Sequence, residues 1–529
     1  MKKWIAGFGA LMGVLSFTTV VAQATHENIT WSASLDIPGG FQDMGLLGSP
    51  KLGLVRVFEQ KQAKGGGPDY QEVEILLKTV NQDMKVLATY RMNKRTICDN
   101  IQTQGFAQMK SAVYWIYSCT EEKITKFYAY KINLKTAKFD GSPLFLMEME
   151  KSQELVTSLS ANSSRFLMRY IMREEKGVER KAGIYVFDDK MNKQFGDELL
   201  FPFKGDNIGV MQDLVDRNGK VFLLTREEDK RKKDVQMRIL KYTSKDSRPD
   251  ILPIDFIDIS PQSFHLMEDI DGNINLMGYY YQKDKAIVGG MYMLRLNGMK
   301  LDKLKNGYYE IPEALLLTFE TGRAKKKAAK GEQSQLQDNL RTSFLTICEY
   351  LTYPDGSVSI IGEARRIFYE SGGGDHYGVG PQYFGRHGFE DLLIIHLLPN
   401  GELGWIKRIP KIQKSGADVF SDIPSGSCSY KSVLIGNDLY LYYMDNDKNE
   451  TRDPERPIIP FDGYYAGAVT SLYCMKYDPS GKETKSVAVH ITKNDELMCV
   501  QQMMRVGNNH LLGFAGRKKE SKLCKIKVN

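Results

Sequence analysis

The sequence predicts an all-β chain of eight repeated antiparallel units, and three observations carry that prediction. First, tight turns of Gly, Asn, Asp or Ser recur before strands rich in aromatic and branched residues. They read Asn218-Gly219-Lys220 before VFLLT, Asp271-Gly272-Asn273 before INLMGYYY, and Asp355-Gly356-Ser357 before VSIIGEA. Second, the spacing repeats: Gly219 to Gly272 is 53 residues, and so is Ser111 to Ser164. Third, almost every apolar segment is short, alternating or β-branched and bounded by turns, while few windows repeat at helical spacing. The exception is Lys325 to Leu340, a polar stretch expected to form a surface helix.

The chain opens with a secretory signal, residues 1–24. Lys2 and Lys3 supply the positive start, Ile5 to Val21 the apolar stretch, and Ala22-Gln23-Ala24 the small-residue cleavage site. Gly7, Gly9 and Gly13 interrupt the apolar stretch and weaken the competing reading as a retained anchor. No later segment approaches the ~20 uninterrupted apolar residues of a membrane helix. The expectation is one exported domain, residues 25–529, periplasmic or extracellular, with no integral membrane segment after signal removal. Losing Lys2 and Lys3 lowers the formal net charge from +7 to +5. The basic runs at 230–233 and 325–327 are local and have acids nearby, so they read as solvated loops rather than a nucleic-acid groove.

Each unit reads as four strands. In the fifth these are Ser263 to Asp269, Ile274 to Tyr281, Gly290 to Leu296, and Tyr308 to Ile311. Similar sets begin near Phe41, Ile97, Leu155, Ile208, Thr342, Cys428 and Met498, and the last has only three strands before the chain ends. A strand at Asn28 to Ile37 is positioned to complete it by pairing with Lys522 to Val528, which closes a ring and leaves no open sheet edge. This arrangement resembles a β-propeller, a resemblance of architecture covering nearly all of residues 25–529. Eight blades are the first choice, seven the alternative, and a two-sheet sandwich array the remote third. No Gly-His…Trp-Asp pair, kelch signature or recurring Trp motif assigns a named family.

Three insertions break the regular spacing. Gly272 to Gly356 is 84 residues, and the excess falls at about 321–341, between the fifth and sixth units. A second insertion, at about 370–389, joins the second and third strands of the sixth unit. A third, at about 446–467, joins the same pair in the seventh. In a four-stranded meander these two kinds of connection emerge on one side, so three long loops crowd one sector of one face. Loops of this length carry function or disorder. The second offers His376, Tyr377, Tyr383, Arg386 and His387 among glycines, and the third offers Arg452, Tyr464 and Tyr465. These types suit stacking and directional hydrogen bonding to a polar ligand; the plain alternative is loops folded on their own aromatics.

Catalytic signatures are missing from the sequence. There is no GxSxG elbow for a serine hydrolase and no HExxH, and His265, His396 and His510 fall on expected strands, where packing is the default. The methionines fall on strand patterns, which favours core packing over copper binding. Asp269 to Asn275 alternates oxygens as a calcium loop does, yet Asp-Gly-Asn between strands is a hairpin turn. Asp445, Asp447 and Asn449 have a better calcium claim because their loop is long enough to wrap an ion; otherwise no cofactor is expected. The seven cysteines (98, 119, 348, 428, 474, 499 and 524) form no CxxC, so no zinc site is expected. Cys98 and Cys119 lie at nearly equal distances from the turn near Gln108 and Met109, which makes them a disulfide candidate. The expected function is an exported, non-catalytic propeller that binds a protein or carbohydrate partner through its insertion-bearing face. The alternative is a propeller glycoside hydrolase or lyase acting at the central channel.

Overall fold

Val113 to Cys119 is buried along its whole length, as is the strand Val288–Leu296 but for one half-buried residue. A sheet with one wet face would bury only alternate residues, so such strands must be covered on both sides. Stacking sheets face to face around an axis provides that cover. The structure, a computed structural model, describes residues 29–38, 41–63, 70–150, 153–172, 180–203, 208–229, 234–243, 248–256, 259–282, 288–312, 315, 344–371, 383–414, 427–453, 456–461, 470–491, 497–507, 509–517 and 520–528. Residues 1–24, expected to be a signal, the expected helix at 325–340 and the insertion at 321–341 lie outside them.

The described strands form eight antiparallel sheets, the blades of a propeller. Blade 1 runs Phe41–Ser49, Gly53–Ala63, Tyr70–Val80 and Val86–Asn93. Blade 2 runs Ile101–Gln108, Val113–Glu121, Ile124–Ile132 and Phe139–Glu150. Blade 3 takes Val156–Leu159, Arg165–Ile171, Lys181–Asp188 and Lys193–Leu200, and blade 4 Ile208–Val215, Val221–Asp229, Asp234–Tyr242 and Asp250–Ile254. In blade 5 the inner strand is split into Ile259–Pro261 and His265–Glu268, followed by Ile274–Gln282, Val288–Leu296 and Lys303–Glu310. Blade 6 comprises Phe344–Thr352, Val358–Ser371, Tyr383–Leu397 and Leu403–Ile409. Blade 7 comprises Lys431–Ile435, Asp438–Asn446, Thr470–Tyr477 and Glu483–Ile491.

Blade 8 closes the ring. Its inner strand is split into Leu497–Met498 and Met504–Val506, its next two strands are His510–Arg517 and Glu520–Lys527, and its outermost strand is Ile29–Trp31. Ile29, Thr30 and Trp31 pair with Ile526, Lys525 and Cys524, and Ser32 N extends the contact to Leu523 O at 2.9 Å. The closing strand is shorter than Asn28 to Ile37, because beyond Ser32 the chain leaves the edge and buries Leu35 against blades 1 and 8. Among the described residues the buried apolar side chains fall into eight clusters, one at each junction of neighbouring blades, the 8/1 junction included. The core is therefore a ring of interfaces, as expected where no unit buries its own faces.

The two faces of the ring differ. On the face carrying first-to-second and third-to-fourth strand turns, hydrogen bonds tie blade 4 to 5, 5 to 6 and 6 to 7. Arg217 of blade 4 donates to Glu268 Oε1 at 2.6 Å and to the Ile270 carbonyl of blade 5 at 2.9 Å. Tyr309 of blade 5 reaches the Gly401 carbonyl of blade 6, and Trp405 of blade 6 reaches the Pro479 carbonyl of blade 7. The repeated turns place Gly219, Gly272 and Gly356 at φ of +88°, +81° and +86°, the left-handed region glycine occupies without strain. The opposite face carries the described parts of the second and third insertions.

Cys98 and Cys119 are joined by a disulfide with Cα atoms 6.3 Å apart. Cys98 does not lie on the inner strand of blade 2, however. That strand begins at Ile101, which faces Cys119, and the bond ties the segment before it to the second strand.

Candidate functional site on the insertion-bearing face

The second and third strands of blade 6 continue outward as a long hairpin, Ser371 pairing with Tyr383, Phe368 with Arg386 and Ile367 with His387. The residues read from sequence as an insertion loop at 370–389 are thus strand from 383 onward. The glycine-rich part obscured this, and the β-rich FYES and YFG flanks carried the strand signal. His387 is exposed on this hairpin. Only the backbone of Tyr383 and Arg386 is described. His376, Tyr377, Tyr464 and Tyr465 lie outside the described residues.

A short strand, Gln413–Lys414, occupies the connection from blade 6 to blade 7. It pairs with Phe389 and Gly388 of the hairpin on one side and bridges to Phe461 of the blade 7 loop on the other. Lys414 N donates to Phe461 O at 2.9 Å, and Phe461 N to Ile412 O at 2.8 Å. The hairpin, the interblade connection and the blade 7 loop are therefore hydrogen-bonded into one layer on one face. Sequence reasoning missed this connector: two residues are too short to show a period.

Beneath the layer lies a buried polar network. Glu363, Lys411 and Gln413 are each 0 % exposed. Lys411 Nζ donates to Glu363 Oε1 at 2.9 Å and Gln413 Oε1 at 3.0 Å, and Ser429 Oγ to Glu363 Oε2 at 2.8 Å. Gln413 Nε2 donates to Met444 O at 2.8 Å, and its Oε1 accepts from Ser429 N at 2.6 Å. Buried charges persist only when paired and bonded in this way. The network pins the connector to the second strands of blades 6 and 7.

The blade 7 loop is tied from within. Asp445 Oδ1 accepts from Asn446 N and from Asn449 Nδ2, both at 2.8 Å. Asn449 also donates to Ile459 O at 2.7 Å and accepts from Ile459 N at 2.9 Å. Tyr473 donates to Asp447 at 3.1 Å. Asn449 thus turns its NH₂ group toward Asp445, where a calcium site would need its oxygen. Among the described residues no group of three or more His, Cys, Asp or Glu side chains is arranged to hold a metal ion. Arg452, read from sequence as ligand-binding, donates to the Asp453 and Arg456 carbonyls of its own loop. Burial raises Asp445 to about 6, against stabilising bonds from Asn449 and Asn446.

The inner strands line the central channel, and in blades 1, 2, 4 and 6 each carries one extra residue at a matching place: Met44, Gln104, Met211 and Cys348. Such bulges bend a strand and re-aim a side chain. Met44 and Met211 are 37 % and 40 % exposed on strands whose flanks are covered by neighbouring blades, so their open side is the channel. Four carboxylates lie on the described inner strands. Asp43 pairs with Arg56, Asp213 with Arg169, and Glu268 with Arg217. Glu349 differs: its Oε2 is buried with no partner among the described residues. Of the three histidines expected to pack on strands, His396 is buried and His265 and His510 are half-buried. His396 stacks on Trp405 with ring centroids 4.9 Å apart and shares a 3.0 Å hydrogen bond with Ser359, and burial lowers its pKa.

No known protein-family profile matches the chain, and no curated protein matches it in sequence. Solved structures do resemble it. The WD40 domain of SCAP from fission yeast is 8 % identical over 94 % of this chain and 98 % of that one, with a TM-score of 0.36. Prolyl oligopeptidase B from Galerina marginata is 7 % identical over 92 % of this chain and 54 % of that one, with a TM-score of 0.38. A polysaccharide lyase of family PL25, an ulvan lyase, is 11 % identical over 77 % of this chain and 90 % of that one, with a TM-score of 0.30. The eight blades and the closure of the last by Ile29–Trp31, not these likenesses, make the fold a β-propeller.

Proposed function

We propose that the protein is exported and binds a protein or carbohydrate partner, without catalysis, through the insertion-bearing face of blades 5 to 7. The observation that carries this reading is the Gln413–Lys414 connector, bonded to the blade 6 hairpin and the blade 7 loop alike. It holds two insertions as one surface, and a rigid support for recognition loops lowers the ordering cost of binding. The carboxylates support binding over glycan cleavage. Glycoside hydrolysis uses a pair of acids flanking the scissile bond. Three of the four described inner-strand carboxylates are engaged by arginines, which leaves Glu349 without a second acid of the same kind.

The test is a binding screen of the full chain against glycans and envelope proteins, run beside hydrolysis assays and repeated with Arg386→Ala/Tyr465→Ala. A binder should lose affinity in the double variant while its melting temperature stays within about 1 °C, because loop residues away from the core contribute little stability. Unchanged binding, or turnover of a glycan, overturns the reading.

A further inference from the structure

A second site lies away from the insertions, in the cleft between blades 3 and 4. Phe201 to Phe203 lead from the outer strand of blade 3 toward the inner strand of blade 4. Pro202 and Phe203 of this connection, with Glu227, Arg238 and Ile251 of blade 4, line a cavity of about 270 Å³ that opens to solvent. The three blade 4 residues project from one face of the sheet. Thr225 pairs with Arg238 and Leu240 with Ile251, and paired residues share a face, as do alternate residues along a strand. Arg238 Nη1 donates to Glu227 Oε2 at 2.6 Å and Nη2 donates to Gln236 Oε1. The guanidinium lies over the Phe203 ring, 5.1 Å from its centre, and Phe203 packs edge to face with Phe201. The ion pair is thus held in place yet remains open. The Arg238 and Glu227 side chains are 23 % and 33 % exposed, and Ile251 is 47 % exposed.

The lining defines what fits. Arg238 has spare N–H groups beyond those given to Glu227 and Gln236, and Glu227 Oε1 accepts no bond among the described residues. Together the two side chains carry no net charge, so a fully charged ligand is repelled by one as it meets the other. A complementary ligand accepts from Arg238 and donates to Glu227 across the width of one ion pair. Two hydroxyls on neighbouring carbons do both, through charge-assisted hydrogen bonds. The ligand must also cover Ile251 and Pro202, which the C–H groups of a saturated ring can do. A carboxamide would satisfy the ion pair but leave most of the cavity empty. Pockets for drug-sized ligands span about 300–1,000 Å³, so this cavity suits a single ring.

We propose that the cleft between blades 3 and 4 is a binding subsite for one neutral sugar ring, with Arg238 and Glu227 holding adjacent hydroxyls and Ile251 and Pro202 packing on the ring. The site is separate from the insertions of blades 5 to 7 and stands without them. The experiment titrates the full chain with the methyl glycosides of glucose, galactose and mannose, with methyl glucuronide, and with acetyl-glutamine amide. It is repeated on Arg238→Met/Glu227→Gln, whose side chains keep similar lengths and strand no charge. At least one neutral glycoside should bind the native chain, and bind the double variant roughly tenfold or more weakly. The melting temperature should stay within about 2 °C, because a solvent-open ion pair contributes little stability. Ile251→Ser, which trims the apolar wall at an exposed position and spares the ion pair, should weaken binding roughly threefold or more. It keeps the test decisive if the double variant misfolds. No binding by any neutral glycoside, preference for the glucuronide or the amide, or undiminished binding in the folded variants overturns the subsite. Sugar binding lost in Arg386→Ala/Tyr465→Ala and kept in the cleft variants also overturns it, and leaves the face reading standing. Sugar binding lost only in the cleft variants, with no partner on the insertions, upholds the subsite and sinks the face reading.

Discussion

Replacing Asp445 with Asn should stabilise the protein at neutral pH and leave it nearly unchanged at pH 4. Asp445 ends the second strand of blade 7 and is 1 % exposed. Burial raises its carboxyl from the ordinary 3.8 to about 6, while hydrogen bonds from Asn449 and Asn446 and the charges of Lys485 and Lys411 pull the other way. Folded chains therefore keep a proton that unfolded chains release above pH 3.8. Stability from this group is present at low pH and is lost as pH rises from about 4 to about 6. With about 1.36 kcal/mol for each pH step, the difference from 3.8 to about 6 is roughly 3 kcal/mol above pH 6. Asn retains a carbonyl oxygen for the Asn446 N–H and Asn449 Nδ2 and carries no charge. Lys485 loses one partner but keeps the fields of Glu450 and Asp447. Unfolding entropy near 2.1 cal/mol/K per residue gives about 1 kcal/mol/K for this chain, so the gain is worth about 3 °C at pH 7. Calorimetric melting of both proteins from pH 4 to 8 measures it. A melting difference that stays constant over that range, or a variant less stable at pH 7, refutes the reasoning.

Two further expectations follow from the fold. Replacing Cys98 and Cys119 with Ala should cost about 3 kcal/mol, because the bond closes a loop of separation 21 in the unfolded chain; an oxidised protein whose melting is insensitive to reductant would contradict it. Gln413→Ala should cost several kcal/mol, since it orphans the Ser429 N–H, the Met444 carbonyl and part of the Lys411 ammonium in a fully buried site. Hydrogen exchange should then rise in residues 386–389 and 459–461 together, and exchange confined to one of them would show that the connector does not couple the two insertions.

The β-propeller was legible because its signals are local. Turn residues with positive φ, such as Gly219 and Gly272, have few substitutes, and strands buried on both faces must be apolar at nearly every position, as in VYWIYSC at 113–119. The incomplete last unit also announced its partner, because an unpaired edge at one end and a spare strand at the other solve one problem together. Less of the candidate site could be read. Arg452 is read from the sequence as a ligand contact, and only the folded loop shows its Nη1 donating to two carbonyls of the same loop. Asn449 looks like a calcium ligand until its amide is seen turned to Asp445.

Sequence alone therefore determined the fold class and the four-strand unit, which follow from periodicity and turn chemistry within some 50 residues, and it favoured eight blades over seven through the pairing of the two ends. Tertiary structure decided what depends on separate blades meeting. Lys411 has the composition of a surface residue, yet it is fully buried because Glu363, 48 positions earlier, waits with a carboxylate. Tyr279 is an ordinary strand aromatic until the ring lays its phenol over Gly362 of the next blade. Charge pairing and packing between blades are properties of three-dimensional neighbours, and no pattern along a single strand encodes which blade will supply them.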